Sequence, residues 1–141
     1  MSEVANHLLR QFAAGKRRFR GVELREAHLH RAILKGIDLR YADLSGGMLR
    51  AADLRRANLS YAKLVGVDLN GSNLQNAELH SADLRDANLV NANLHEADFR
   101  SADLRRADLA FADLRGACLD GANMDGVHFA QTVMPDGSIL G

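Results

Sequence analysis

The sequence predicts an all-β solenoid, a chain wound into a closed polygonal coil, and three observations carry that prediction. From Leu24 to Phe129 a core residue recurs every five positions through 22 repeats, and it is Leu in all but Phe99, Met124 and Phe129. The position two before each centre is small: Ala in 16 of the 22, with Val22, Ile37, Gly47, Val67, Ser72 and Val127 as departures. No insertion breaks the count, and Phe19 extends it one step upstream.

A period of five excludes both straight elements. An α-helix advances about 100° per residue, so a five-residue step scatters the leucines around the cylinder instead of aligning them. A straight strand alternates its faces with a period of two, so an odd step sends successive leucines to opposite sides. The pattern is met when the small residue and the centre (called i) point the same way from a short extended segment and the chain then turns a corner. Each pentad is one side of a polygon, with i−2 and i inside and i−1, i+1 and i+2 facing water. The spacing leaves the number of sides open.

The A-[DN]-L-x-x repeats, clearest from Ala77 to Gly116, resemble the pentapeptide-repeat family, and the match runs from Arg17 to Gln131, which is 23 pentads. The resemblance implies a right-handed quadrilateral β-helix with four pentads per coil. At about 4.8 Å between stacked backbones, five to six coils make a rod of roughly 27 Å, and residues 20 apart become neighbours.

Taken in order, the chain divides into an N-terminal helical cap over 1–16, the β-helix over 17–131 and a C-terminal cap over 132–141. Ser2 to Gly15 reads as a helix over 2–14: Ser2 caps its start, Val4, Leu8, Leu9, Phe12 and Ala13 share an apolar face, and Gly15 closes it. Solenoid ends expose unpaired backbone and core side chains, which terminal caps cover. The run Lys16, Arg17, Arg18, Arg20 reads as a solvated junction, because no aromatic interleaving or glycine-rich cradle accompanies it. Within the coil Ile37 is the largest exception at the small position, and Gly47 is expected to make room for it. The repeats from Val22 to Leu64 are the less regular half, with Ile33 and Met48 at the outward i−1 position. After Gln131 the Pro135-Asp136-Gly137 turn places Val133 and Ile139 on the strands of a terminal hairpin. This tail, and the opening Leu8 to Gly15, are similar to the ends of cyanobacterial members of the family.

Composition narrows the function. The 18 basic and 18 acidic side chains cancel, so no net field draws the chain to nucleic acid or an anionic membrane. A single cysteine, Cys118, excludes an internal disulfide and suits a reducing, cytoplasmic setting. No apolar run is long enough to span a membrane, and no signal peptide is read at the N-terminus. No enzyme, cofactor or metal site is expected. Of the six histidines only His28 and His30 share one outward face, too few for a metal site even with Glu23 and Glu26 nearby. Cys118 has no histidine close in sequence to activate it. The carboxylate column Asp83, Asp103, Asn123 is opposed as a calcium site by Arg85 and Arg105.

Position i−1 is Asp or Asn in 14 of the 22 repeats, where a short polar side chain can bond neighbouring amides as in Asx-turns. An acid at i−1 recurs with Arg at i+1: Glu23/Arg25, Asp38/Arg40, Asp53/Arg55, Asp83/Arg85, Asp98/Arg100, Asp103/Arg105 and Asp113/Arg115. Residues two apart on an extended segment point the same way, so these faces are read as self-neutralising. The best-known members of the family mimic DNA with an acidic rod, bind type II topoisomerases and dimerise through a C-terminal helix. Neither feature is read here, which leaves that activity as the disfavoured alternative. The favoured expectation is a non-catalytic interaction or scaffold module, a monomer more than a dimer, whose partner is another protein. Tyr41 and Tyr61, both at i+2 and 20 residues apart, should stack at one corner, with Arg20 and Arg40 on the adjoining column. These four residues are the expected partner-binding face, and Phe111 is exposed at another corner.

Overall fold

The computed structural model describes residues 2–141 of the chain. Its backbone is a ladder of 20 isolated parallel bridges, each joining i−1 residues 20 apart, from Arg18↔Asp38 to Asp113↔Val133. A 20-residue repeat means four pentads to a turn, the number that five-residue spacing alone leaves open. Each side of each coil contributes a single bridged residue flanked by turns, so the ladder replaces long strands. The core is one continuous column: every centre from Leu24 to Leu114 is no more than 1% exposed.

The corners explain how a chain of L-residues closes this coil. At every corner from Phe19 to Met124 the amide of i+3 donates to the carbonyl of i, as from Ala27 to Leu24 and Ala32 to Leu29, both at 3.0 Å. Position i+2 has positive φ in all 23 repeats from Gly21 to Gln131, eight times as Gly and fifteen times as another residue at 51° to 63°. Positive φ at the third residue of a hydrogen-bonded turn marks the type II geometry. Left-handed backbone is hardest for β-branched residues, and none of the 23 is Val, Ile or Thr. The i−1 side chains lock each side from outside. All fourteen Asp and Asn residues there accept the amide N–H of i+1 at 3.0–3.3 Å.

Helix α1 spans Glu3–Ala13, and the Ser2 Oγ accepts the Ala5 amide at 3.2 Å. Gly15, at φ +108°, ends it: Gly15 N–H donates to Phe12 O and Lys16 N–H to Gln11 O, the paired bonds of a Schellman closure. The buried stripe is Ala5, Leu8 and Phe12, with Leu9 partly covered. Val4 and Ala13, expected on that stripe, instead face solvent, because the i, i+3, i+7 spacing from Ala5 selects the narrower face. The basic junction is solvent-exposed as expected, at Lys16, Arg17, Arg18 and Arg20 alike, and two of its side chains also make contacts. Lys16 Nζ lies 4.8 Å above the Phe19 ring, while the Arg17 guanidinium sits 4.1 Å over Phe12 and donates to Phe12 O at 2.8 Å, so both fasten the helix to the first coil.

At the other end β1 (Thr132–Val133) pairs antiparallel with β2 (Ile139–Leu140), Val133 opposite Ile139. Gly137 N–H donates to Met134 O and Met134 N–H to Ser138 O, which closes the Pro-Asp-Gly loop with Gly137 at φ +88°. Ile37 is wholly buried. A Cβ on Gly47 would meet Leu44 O at 2.9 Å, Leu49 Cδ1 at 3.2 Å and Ala27 O at 3.7 Å, so its own ring neighbours require the glycine.

Candidate functional site

The surface is built from one repeated clip. The same Asp Oδ1 that takes the i+1 amide also takes the Nε of an Arg at i+1, while Nη2 reaches Oδ2 at 2.6–2.7 Å; Asp38/Arg40, Asp53/Arg55, Asp83/Arg85, Asp98/Arg100, Asp103/Arg105 and Asp113/Arg115 all do this. The guanidinium bonds hold all six carboxyls below the ordinary carboxylate range. The seventh expected pair does not form: Arg25 turns to Asp43 on the next coil, at 3.5 Å. Glu23 has one more methylene than Asp, which carries its carboxylate out of the Asx-turn position.

The expected aromatic corner is a continuous stack. Tyr41 and Tyr61 lie 5.1 Å apart with planes 8° from parallel, and His80 meets Tyr61 edge-on at 5.5 Å. Arg20 lies 5.8 Å from the Tyr41 centroid, so cation, two phenols and imidazole follow one another along the corner. Both tyrosines stay about half exposed, at 55% and 47%. Arg40 lies beside them with Nε and Nη2 committed to Asp38, which leaves Nη1 for a further contact. Phe111 projects from a different corner and is 58% exposed.

Charge is balanced around the rod but not along it. Residues 1–70 carry 13 Lys and Arg against 7 Asp and Glu, and residues 71–141 carry 5 against 11. Pairing sharpens the contrast. Among the described residues, Arg85, Arg100, Arg105, Arg106 and Arg115 each have a carboxylate within 4.0 Å. The nine cations without one, namely Arg10, Lys16, Arg17, Arg18, Arg20, Arg31, Lys35, Arg56 and Lys63, all precede residue 64. Self-neutralisation therefore holds for every arginine of the C-terminal half but for only four of the thirteen cations of the N-terminal half. The imbalance runs along the rod and cancels in the total.

Among the described residues no group of three or more His, Cys, Asp or Glu side chains is gathered as a metal-ligand set, and no helix is long and apolar enough to cross a membrane. Cys118 is a free thiol bridged to Asp98 in the ladder.

Comparison with known proteins agrees with this architecture. The family model described as Pentapeptide repeats matches eight copies over residues 18–56, 52–91 and 92–131. A pentapeptide repeat protein from the cyanobacterium Cyanothece 51142 is 31% identical, with 92% of this chain and 97% of that one covered and a TM-score of 0.70. Another, from Nostoc PCC 7120, is 45% identical over 70% of this chain and 78% of that one, with a TM-score of 0.66. No curated protein matches the sequence.

Proposed function

The chain belongs to the pentapeptide-repeat family, and from that premise we propose that it is a non-catalytic protein-interaction or scaffold module. The observation that supports this reading most directly is the Arg20, Tyr41, Tyr61, His80 stack, an ordered aromatic and cationic strip on a ladder whose other corner residues are mostly small or polar. Tyr supplies large contact area at low entropic cost, Arg adds a planar cation, and the ladder holds them in place before a partner arrives. Arg40 completes the face, its guanidinium positioned by Asp38. The cytoplasm is the proposed setting, on the reading of Cys118 as a lone thiol, and a monomer is the proposed state. The C-terminal half is acidic in sum, yet five arginines are interleaved with its carboxylates, so the unbroken acidic surface that DNA mimicry needs is not favoured.

The test is affinity capture from lysate of an organism that carries the protein, comparing wild type with Tyr41→Ala/Tyr61→Ala. Both corner residues are exposed, so the double variant should fold and lose the partners that the wild type retains. Retention of every partner by the variant would displace the aromatic corner as the binding face.

A further inference from the structure

The free cations of the N-terminal half converge at one other place. Lys35 and Arg56 meet beside Arg55, Gln75 and Asn76 around a shallow pocket of about 100 Å³, at the corner next to the one that carries the tyrosines. Every side chain lining it can donate hydrogen bonds: one ammonium, two guanidiniums and two carboxamides. No carboxylate lines it. Arg55 has committed Nε and Nη2 to Asp53 and keeps Nη1, whereas Lys35 and Arg56 have no acidic partner within 4.0 Å. The nearest carboxylate, Asp53, feels the Lys35 charge but is already clipped to Arg55, so Lys35 and Arg56 are the unpaired donors of this cluster.

An apolar side chain stands beside it. Ile33 lies two residues before Lys35 on the same extended segment, and it is 72% exposed at a position that is Asp or Asn in 14 repeats. An exposed isoleucine next to a cluster of donors matches a ligand that is both apolar and anionic.

We infer that this side of the rod docks an acidic segment of a partner protein, one carboxylate seated between Lys35 and Arg56 and a neighbouring apolar side chain on Ile33. A nucleic acid fits less well. A phosphate backbone following the corner would pass from Asn76 to Glu96 on the next coil, and Ile33 offers no ring on which a base could stack. A short peptide ends before Glu96. The inference rests on the reading of the rod as an interaction module but not on the tyrosine corner, so the two fail separately.

The experiment is a ¹⁵N–¹H correlation titration of the full chain with an acetylated, amidated Glu-Glu-Leu-Glu-Glu peptide, with inorganic phosphate and a 12-nucleotide single-stranded DNA as the other arms. The peptide should shift the amides of Lys35, Arg55, Arg56, Gln75 and Asn76. Lys35→Glu/Arg56→Glu should weaken it about tenfold or more, as expected for two exposed charge contacts reversed in sign. Lys35→Gln/Arg56→Gln gives a milder loss, and unchanged spectral dispersion in both variants shows that the coil is intact. Ile33→Ala should weaken the peptide and leave phosphate unaffected, while Tyr41→Ala/Tyr61→Ala should leave both unaffected. Peptide shifts confined to Lys16–Arg20, binding indifferent to the Lys35 and Arg56 variants, or DNA binding tighter than peptide at these residues would each overturn the assignment.

Discussion

Ser72 and Thr132 occupy equivalent inward positions and are both buried, yet they solve the problem of a polar atom in the core differently. The Thr132 Oγ1 donates to Leu109 O at 2.7 Å and accepts the Ala130 amide at 3.2 Å. The Ser72 Oγ, in a residue 1% exposed, has no hydrogen-bond partner among the described residues. A buried hydroxyl without a partner loses its hydration and gains nothing, at a cost of about 1 kcal/mol or more. Ser72→Ala, which restores the residue used in 16 other repeats, should therefore stabilise the protein by about 1 kcal/mol in urea or thermal melts. A less stable Ser72→Ala would show that the hydroxyl is satisfied. The sequence marks Ser72 as a departure, but whether a hydroxyl finds a partner depends on carbonyls of the neighbouring coil, as Thr132 finds Leu109, and is not written locally. The same limit applies to the candidate face. The tyrosine stack follows from a 20-residue separation and the Arg40 clip from the Asp-x-Arg motif, so both are legible. The turn of Arg25 to Asp43 and the meeting of Lys35 with Arg56 need the coil before they can be seen.

The corner is the element that makes the fold, and it reads from sequence only in part. Five-residue spacing dictates that the chain turns, but not how many turns close a coil, because that number depends on the angle each corner adopts. The left-handed backbone at i+2 did leave a trace: eight of the chain's twelve glycines sit there, and no β-branched residue does. Short polar and even aromatic residues tolerate φ near 60°, as Asn91, Tyr41 and Phe111 do. A side chain branched at Cβ crowds its own backbone in that conformation, and the left-handed region costs roughly 1–2 kcal/mol per residue to begin with. Asn91→Val should accordingly destabilise by about 1–2 kcal/mol. Asn91→Gly should be near neutral, the relief of strain offsetting the added freedom of the unfolded chain. Denaturant melts of the two variants side by side decide the point, and equal stabilities would mean that the corner imposes no left-handed constraint.

At the scale of the whole rod, the two halves differ in what holds their surfaces together, and acid should separate them. Four of the six clips, at Asp83, Asp98, Asp103 and Asp113, lie in the C-terminal half; only Asp38 and Asp53 lie in the N-terminal half. Each of these carboxyls has a folded-state pKa depressed by its arginine. Their stabilisation is therefore fully present above the unfolded carboxylate value of about 3.9 and is lost as the pH falls through the lower folded values. Protonation also leaves the neighbouring Arg85, Arg105 and Arg106 without counter-charges, while the N-terminal half already tolerates nine unpaired cations. The C-terminal end is the less covered one as well, with Ile139 63% exposed and Met124 and Phe129 only partly buried, whereas α1 closes the other end. In a repeat protein each coil is stabilised mainly by its neighbours, so opening spreads from the weaker end. The melting temperature should stay level from pH 7 to about 5 and fall below about 4. Hydrogen exchange at low pH should show the amides after residue 77 losing protection before those of residues 22–64. An N-terminal half that opens first, or stability unchanged down to pH 2.5, about 1.4 units below the unfolded carboxylate value, would mean that the Asp–Arg clips do not hold the coils.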